Sequence, residues 1–162
     1  MKQLWAPWRM KYILDKKQGR TSDCFLCDVR NVEVSPKSLV LHKNEHAYIV
    51  MNKYPYSNGH LLIAPCIHVQ DFSELNQKMM GTMMELMSMS TSILRKALGA
   101  DGFNMGANIG RCAGAGEEHL HIHILPRWNG DTNFMPFFSD TRVINEYLEE
   151  TYEKLFPLFQ NK

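Results

Sequence analysis

Short apolar runs of strand length dominate the first half of the chain. They cover residues 39–41, 47–51 and 60–64, and the third run ends at Pro65. Turn-forming residues separate them, Lys43-Asn44-Glu45 in the first gap and Pro55-Tyr56-Ser57-Asn58-Gly59 in the second. Strand-length runs bounded by such turns are typical of antiparallel sheets. The pattern predicts a hairpin followed by a third antiparallel strand.

The middle of the chain changes to a helical period. From residue 71 to residue 98, apolar side chains recur at steps of three and four, and Gly99 follows as a C-cap signal. This predicts one long amphipathic helix whose methionines, between 79 and 89, pack in the core. Strand patterning returns at 103–109 and 119–125. A last helix is predicted from Val143, Ile144, Tyr147, Leu148, Thr151 and Leu155, with Asp140 or Thr141 as its cap.

These elements form an α+β domain, a five-stranded antiparallel sheet with one long helix and a C-terminal helix. The 162 residues suffice for one domain with a substantial core. We expect the sheet and the long helix in residues 21–137, a helical extension of the same domain in 138–162 and an N-terminal arm in 1–20. The bulky anchors of the arm, Leu4, Trp5 and Trp8, favour contact with the domain or with a partner subunit.

Charge and hydropathy narrow the classes of partner. The formal net charge is +1 and like charges form no long block, which argues against nucleic acid and anionic membranes. No apolar run approaches the ~18 residues that cross a bilayer, and the N-terminus lacks the apolar stretch of a signal peptide. We therefore expect a cytoplasmic protein without nucleic-acid or membrane partners.

Three histidines alternate with apolar residues in His119-Leu120-His121-Ile122-His123-Ile124-Leu125. In a strand, the three imidazoles share one face and the apolar residues share the other. At roughly 3.3 Å per residue the outer two lie about 13 Å apart, too far for one zinc ion with bonds of about 2 Å. The row suits nucleophilic catalysis, in which His121 attacks and its neighbours set its tautomer.

The loop before the histidines indicates the electrophile. Gly110, Gly114 and Gly116 allow backbone N–H groups to approach an anion, as in phosphate-binding loops. Attack of an imidazole on phosphorus gives a phosphoramidate and divides one transfer into two easier steps. The alternative interpretation is that the histidines are exposed strand residues and the glycines belong to an ordinary hairpin loop.

Cys24 and Cys27 form a Cys-x-x-Cys pair, whereas Cys66 and Cys112 are isolated. In a reducing compartment such a pair indicates a metal-binding or redox-active site rather than a structural disulfide. Two plain buried thiols are the alternative.

The segment 119–125 resembles the motif of the histidine triad (HIT) family, in which three histidines alternate with apolar residues. Residues 52–60, Asn-Lys-Tyr-Pro-Tyr-Ser-Asn-Gly-His, are similar to the ribose-side strand and Gly-His turn of that family, and Asn108 falls where it often has a nucleotide-contacting asparagine. The resemblance to the family covers nearly all of residues 21–137. The opening Leu4-Trp5-Ala6-Pro7-Trp8-Arg9 and the segment 126–136 further resemble the bacterial, Fhit-like branch described as diadenosine tetraphosphate phosphorylases.

The resemblance implies a HIT-like fold, a homodimer and attack on the α-phosphate of a nucleotide to form a nucleotidyl-histidine. By position, His121 is the nucleophile, His123 contacts the α-phosphate or the leaving group, and His60 and His119 complete the catalytic histidines. Besides His121 and His123, the implied nucleotide contacts are Asn52 for the ribose and Asn108 with the backbone of Gly114, Ala115 and Gly116 for phosphate oxygens.

The resemblance also implies structural zinc, bound by Cys24, Cys27, His68 and His119, with His46 as a rival for the third ligand. Four such ligands complete a tetrahedron, so the ion would hold the N-terminal segment to the sheet rather than do chemistry. No organic cofactor is implied.

The leading hypothesis is therefore an enzyme that cleaves dinucleoside polyphosphates such as diadenosine tetraphosphate. Its substrate contains AMP, and phosphate or water accepts the nucleotide in the second step, with a phosphorylase favoured over a hydrolase. The alternatives are a nucleoside phosphoramidase and a zinc-stabilised nucleotide-binding or sensing module without turnover.

Overall fold

The computed structural model describes residues 24–131, 144 and 146–160. A five-stranded antiparallel sheet with the strand order β1-β2-β3-β5-β4 forms its centre. The strands are β1 (Val40–Lys43), β2 (Ala47–Met51), β3 (Leu61–Pro65), β4 (Gly102–Gly106) and β5 (Ile122–Arg127). The helices are α1 (Phe25–Arg30), α2 (Gln77–Leu98) and α3 (Leu148–Gln160). The predicted α+β architecture is confirmed, while the predicted arm at 1–20 lies outside the described residues.

Both faces of the sheet are buried, and position along each strand decides which face a side chain occupies. One face packs against α2 and α3, through Ile49, Met51, Leu61, Ile63, Ile122 and Ile124. The other face packs around α1, through Tyr48, Val50, Leu62, Ala64 and Leu26. Asn52 directly follows β2, and His60 directly precedes β3. Both are an even number of residues from Val50 and Leu62, so the alternation places them on this second face.

Helix α2 begins at Gln77, later than the predicted start at Asp71. Asp71 caps a short 3-10 turn, Phe72–Glu74, in a reciprocal arrangement with the Glu74 side chain. The backbone is extended at Leu75, and the Asn76 side chain then caps α2 by accepting from the N–H of Met79 at 2.9 Å. The periodic pattern predicts one continuous helix from residue 71. The caps at Asp71 and Asn76 instead divide this segment into a short 3-10 turn and α2. The predicted C-cap is confirmed, because Gly99 has the left-handed φ of 63°.

The methionines of α2 are only partly in the core. Met79 and Met83 are buried as predicted, whereas Met80 and Met84 are 40% and 59% exposed. The period of the helix explains the difference, because the steps that place Met79 and Met83 on the buried face place Met80 and Met84 on the exposed one.

The last two strands differ from their predicted bounds of 103–109 and 119–125. Strand β4 ends at Gly106, and the β3–β5 ladder extends only to the pair Ile63 and Ile122. Beyond that pair, the N–H of Leu120 donates instead to the carbonyl of Val69 at 2.7 Å. His119 therefore lies outside the sheet, and other contacts direct its side chain.

Helix α3 ties the C-terminal part of the chain to β1 and to the turn before β3. The hydroxyl of Tyr152 donates to the carbonyl of Val40 at 2.9 Å, and the amide of Gln160 donates to that of Leu41 at 2.8 Å. The buried hydroxyl of Thr151 donates to Asn58 at 2.9 Å. The predicted cap at Asp140 or Thr141 lies outside the described residues. Among the described helices, none is long and apolar enough to cross a membrane.

Candidate active site and metal cluster

A hydrogen bond joins two histidines of neighbouring strands. His60 precedes β3, and its Nε2 lies 2.9 Å from Nδ1 of His123 in β5. The other side of His60 shows which ring donates: its Nδ1 accepts from the backbone N–H of Tyr56 at 3.2 Å, and an N–H can only donate. The proton of neutral His60 is therefore on Nε2, from which it is donated to His123.

Asn52 supports the same ring. Its Nδ2 lies 3.2 Å from Nδ1 of His60, while its Oδ1 accepts from the N–H of Tyr54 at 2.9 Å, which fixes the orientation of the amide. The backbone N–H of Asn52 also donates to the carbonyl of His60 at 2.9 Å. The residue predicted to contact ribose therefore holds the turn that carries His60. Sequence reasoning missed this contact, although pairing of β2 with β3 places the two residues opposite each other.

His123 presents a hydrogen-bond donor on its remaining nitrogen. Burial, together with the neighbouring His121, lowers the pKa of His123 to about 4, so the ring is neutral at pH 7. Because Nδ1 accepts from His60, the proton of His123 lies on Nε2. The rings of His121 and His123 are in edge contact, with centroids 4.8 Å apart.

His121 is held as the complementary tautomer. Its ring is 7% exposed, and its Nδ1 lies 2.7 Å from the carbonyl oxygen of His119. A carbonyl can only accept, so Nδ1 carries the proton and Nε2 of the neutral ring keeps its lone pair. The structure thus brings the predicted nucleophile beside His123, with Nδ1 held by a backbone carbonyl.

The predicted alternation holds at His119, because Leu120, Ile122 and Ile124 pack in the cluster against α2 and α3, whereas the His119 ring reaches Cys24 in the cluster around α1. The Nε2 of His119 donates to the carbonyl of Pro65 at 3.1 Å. Its Nδ1 lies 3.4 Å from the sulfur of Cys24 and 3.5 Å from that of Cys27. The chain departs from the β3 ladder before Ile122, which frees the His119 ring to join these cysteines.

Four potential metal ligands converge there. The ligand atoms of Cys24, Cys27, His68 and His119 all lie within 4.8 Å of one another, and Nδ1 of His68 is 3.2 Å from the Cys27 sulfur. With Zn–S bonds near 2.3 Å and Zn–N bonds near 2.0 Å, neighbouring ligand atoms of a zinc tetrahedron are ~3.5 Å apart. The observed sulfur-to-nitrogen distances match this spacing. The donor set therefore fits zinc.

The structure also shows the state of the cysteines and the position of His46. All four cysteines are free thiols, and burial raises the pKa of Cys24 to about 11. His46, the rival third ligand, lies outside the cluster; its Nε2 is 3.8 Å from a carboxylate oxygen of Glu45.

The glycine loop between β4 and β5 is folded on itself. Gly110 and Gly114 have left-handed φ angles of 81° and 88°. The N–H of Gly114 donates to the carbonyl of Arg111 at 3.0 Å, and that of Ala115 donates to the carbonyl of Gly110 at 3.3 Å. The Asn108 side chain donates to the carbonyl of Gly114 at 3.3 Å. Two of the N–H groups predicted to contact phosphate are therefore engaged within the loop.

The N–H of Gly116, in contrast, is not engaged within the loop. Gly116 is exposed, and among the described residues none accepts a hydrogen bond from its N–H. The loop is closed on its outer side by Arg111, whose guanidinium donates to both carboxylate oxygens of Glu118 at 2.9 and 3.2 Å.

Tyr56 is a site residue that the motif analysis did not single out. Its ring centroid lies 5.0 Å from that of His60 and 6.0 Å from that of His123, nearly parallel to the latter at 23°. The side chain is 49% exposed. Tyr56 therefore covers the histidine pair from the solvent side, and its place in the turn before His60 was the available signal.

Comparisons with known proteins identify a family and several relatives. The family described as "HIT domain" matches residues 33–130. An "AP-4-A phosphorylase" of Mycobacterium tuberculosis is 30% identical over 157 residues, covering 93% of this chain and 80% of the relative.

Two solved structures share the fold. A Zn-bound histidine triad family protein from Mycobacterium smegmatis has a TM-score of 0.69 at 24% identity, covering 85% of this chain and 94% of that chain. A hypothetical histidine triad nucleotide-binding protein from Sulfolobus tokodaii has a TM-score of 0.65 at 28% identity, covering 85% and 90%. The family match spans more than half of the chain, so the resemblance seen in the sequence is confirmed: the chain belongs to the histidine triad family.

Proposed function

We propose that the chain is an enzyme that cleaves dinucleoside polyphosphates by nucleotidyl transfer through His121. The observation that carries this proposal is the pair of complementary tautomers, His121 with a lone pair on Nε2 beside His123 with a proton on Nε2. A nucleophile next to a preorganised hydrogen-bond donor suits displacement at phosphorus. The 30% identity to an AP-4-A phosphorylase supports an AMP-containing dinucleotide as the substrate class.

In the first step, Nε2 of His121 attacks the α-phosphorus. A P–N bond forms as the P–O bond to the leaving nucleotide breaks, and the leaving oxygen keeps the electron pair. With diadenosine tetraphosphate, AMP stays on His121 and ATP leaves. The Nδ1–H of His121 remains bonded to the His119 carbonyl, which stabilises the positive charge that develops on the ring. The Nε2–H of His123 donates to the leaving oxygen.

The second step releases the nucleotide. An acceptor oxygen attacks the same phosphorus, and the P–N bond breaks with its electron pair returning to Nε2 of His121. Inorganic phosphate as acceptor gives ADP, whereas water gives AMP. We favour phosphate, in line with the sequence prediction and with the name of the mycobacterial relative.

Substrate contacts are proposed for the glycine loop and for Asn52. The exposed N–H of Gly116 donates to a phosphate oxygen, and Asn108 holds the loop in the shape that presents it. Asn52 is only half-buried, so its second amide hydrogen can reach a ribose hydroxyl while the first stays on His60.

Zinc is proposed as a structural ion held by Cys24, Cys27, His68 and His119. Two sulfurs and two imidazoles complete its coordination and leave no position for substrate. The ion would link the start of α1 to the approach to β5, positions 95 residues apart in the chain. Free cysteines at such a site require a reducing compartment, which agrees with the cytoplasmic location expected from the sequence.

A homodimer is proposed through the β4 edge of the sheet. β4 is the last strand in the sheet order, and its residues Asn104, Met105 and Gly106 are exposed. An exposed strand edge can pair with the same edge of a second copy across a two-fold axis. Sedimentation of the wild type and of Met105→Lys tests this pairing, because a dimer through β4 should dissociate in the variant.

The decisive experiment is product analysis of diadenosine tetraphosphate incubated with the protein, with and without inorganic phosphate. ADP and ATP that appear only with phosphate establish a phosphorylase; AMP and ATP without phosphate establish a hydrolase. His121→Ala should lose turnover by about four orders of magnitude or more, whereas His42→Ala, on β1, should retain it. A wild type that binds AMP but never forms a nucleotidyl adduct would overturn the proposal in favour of a sensing module.

A further inference from the structure

We propose that zinc bound at Cys24, Cys27, His68 and His119 positions the nucleophilic ring of His121, and that the backbone carbonyl of His119 transmits this effect. Under this proposal the ion sets the tautomer and the orientation of His121 in addition to holding two segments together. The effect on turnover rests on the proposed function, whereas the effect on the His121 ring does not.

His119 belongs to both sites at once. Its imidazole, in a residue 1% exposed, reaches the two cysteine sulfurs through Nδ1 and the carbonyl of Pro65 through Nε2. Its backbone carbonyl oxygen accepts from Nδ1 of His121 at 2.7 Å. Ring and carbonyl share one Cα, so a backbone shift that follows loss of the ring's partners moves the carbonyl as well.

The segment between the two histidines has little freedom to absorb such a displacement. Only Leu120 separates them, and it is 2% exposed in the core, with its N–H bonded to the carbonyl of Val69 at 2.7 Å. The rings of His68 and His119 are in edge contact, with centroids 4.9 Å apart. The ion, the two rings and the His119 carbonyl therefore form one continuous set of contacts that ends at His121.

Without an ion, the His119 ring loses its strongest restraint. A thiol is a weak hydrogen-bond donor, and Nδ1 of His119 can accept from only one of the two sulfurs at a time. With zinc, Nδ1 becomes a metal ligand and the proton is confined to Nε2, where Pro65 accepts it. A bond from zinc to Nδ1 would thus anchor His119, and a bond to His68 would anchor the neighbouring Val69, whose carbonyl accepts from Leu120. Together they would hold the His119–Leu120 peptide that carries the acceptor of His121.

Loss of that acceptor affects the reacting nitrogen. A neutral histidine without a partner on Nδ1 shares its proton between both nitrogens, so part of the population has no lone pair on Nε2. Small displacements of a reacting atom are also costly. By analogy with the loss of partners around metal ligands, we expect metal removal to lower turnover by roughly 10- to 100-fold.

The test is nitrogen NMR of the full chain labelled with ¹⁵N-histidine, recorded after zinc loading, after chelator treatment and after reloading. The expected result is a pure Nδ1–H tautomer for His121 in the loaded protein, averaged ring signals after stripping, and recovery on reloading. An unchanged His121 spectrum in stripped protein that circular dichroism shows to be folded would overturn the proposal.

His68→Asn keeps the test decisive if stripping unfolds the chain. His68 is the exposed ligand, so its loss weakens the site without disturbing the core. In the His68→Asn variant, the signals of His121 should be averaged between the two tautomers. At the same zinc concentration, the wild type and the matched control His42→Asn should still show the pure Nδ1–H tautomer. A pure tautomer in His68→Asn without bound zinc would count against the coupling. Failure of nucleotidyl transfer, by contrast, would appear as a missing adduct in fully loaded protein whose His121 signals still respond to zinc.

Discussion

His60 donates a hydrogen bond from Nε2 to Nδ1 of His123 over 2.9 Å and thereby decides which nitrogen of His123 carries the proton. The direction begins at the backbone, because the N–H of Tyr56 occupies Nδ1 of His60. A backbone donor cannot reverse its role, so the pair of histidines has one arrangement of protons while both rings are neutral. This arrangement leaves the Nε2–H of His123 for the substrate.

Replacing His60 by alanine should therefore lower turnover. Nδ1 of His123 would lose the hydrogen bond that His60 donates. The proton of His123 could then move from Nε2 to Nδ1, and Nε2 would no longer donate to the substrate. We expect a loss of kcat of roughly 10²-fold, measured by steady-state kinetics. His42→Ala is the matched control. Turnover of the wild-type rate in a folded His60→Ala variant would contradict the role assigned to this hydrogen bond.

Stability should depend on pH through His123. Burial holds its pKa near 4 in the folded protein, below the ordinary value of 6.5. As pH falls from about 6.5 to about 4, the unfolded chain binds a proton that the folded protein does not, so the free energy of unfolding decreases across this window. Urea denaturation between pH 4 and 7 measures it. His123→Gln should show a weaker decrease than the wild type at the same zinc loading, whereas an identical slope would rule out this contribution.

Gly59 and Gly81 make a matched pair of substitutions. A Cβ on Gly59 would lie 2.5 Å from Cδ1 of Leu98, and the residue has a left-handed φ of 69°. Gly59→Ala should therefore destabilise the fold by roughly 1–3 kcal/mol and displace the adjacent His60. Gly81 lies in α2 with no atom within 4 Å of such a Cβ, so Gly81→Ala should stabilise by about 0.5–1 kcal/mol. Thermal unfolding separates the two, and equal shifts would refute the packing argument.

Much of the sheet could be predicted because strand alternation assigns each side chain to a face. The positions of Ile122 and Ile124 against the helices follow from the sequence, and the positions of Asn52 and His60 on the other face follow from the same rule. The resemblance to the family motif predicted the four metal ligands, and the structure brings them together.

The contact partners of His119 could not be predicted from local pattern. Alternation continues through His119, yet the hydrogen bond from Leu120 to Val69 removes the chain from the ladder. The ring then joins Cys24, a residue 95 positions away, and periodicity holds no information about contacts at that separation. The start of α2 also differs from its predicted position. Two capping residues, Asp71 and Asn76, interrupt a helical period that is continuous in the sequence.

Removing a cysteine of the metal cluster should abolish zinc binding and lower stability. Cys24 is buried at the start of α1, so Cys24→Ser leaves a poorer ligand in a site that joins two distant segments. We expect about one equivalent of zinc to be lost and the Tm to fall by roughly 10 °C. Cys66→Ser is the matched control, because Cys66 is a half-buried thiol outside the cluster. Metal-free wild type, measured by elemental analysis, would count decisively against the site.

Asn108 should influence nucleotide affinity more than chemistry. Its side chain holds the carbonyl of Gly114 at 3.3 Å and so restrains the loop that presents the N–H of Gly116. In Asn108→Ala the loop gains freedom that binding must remove, and we expect the dissociation constant of AMP to rise about tenfold, as for the loss of one hydrogen bond. Calorimetric titration measures this, with Asn31→Ala, an exposed residue at the C-terminal end of α1, as control. Because His121 and His123 keep their partners, the single-turnover rate at saturating nucleotide should stay near that of the wild type. A lower rate at unchanged affinity would instead place Asn108 among the groups that act on the transition state.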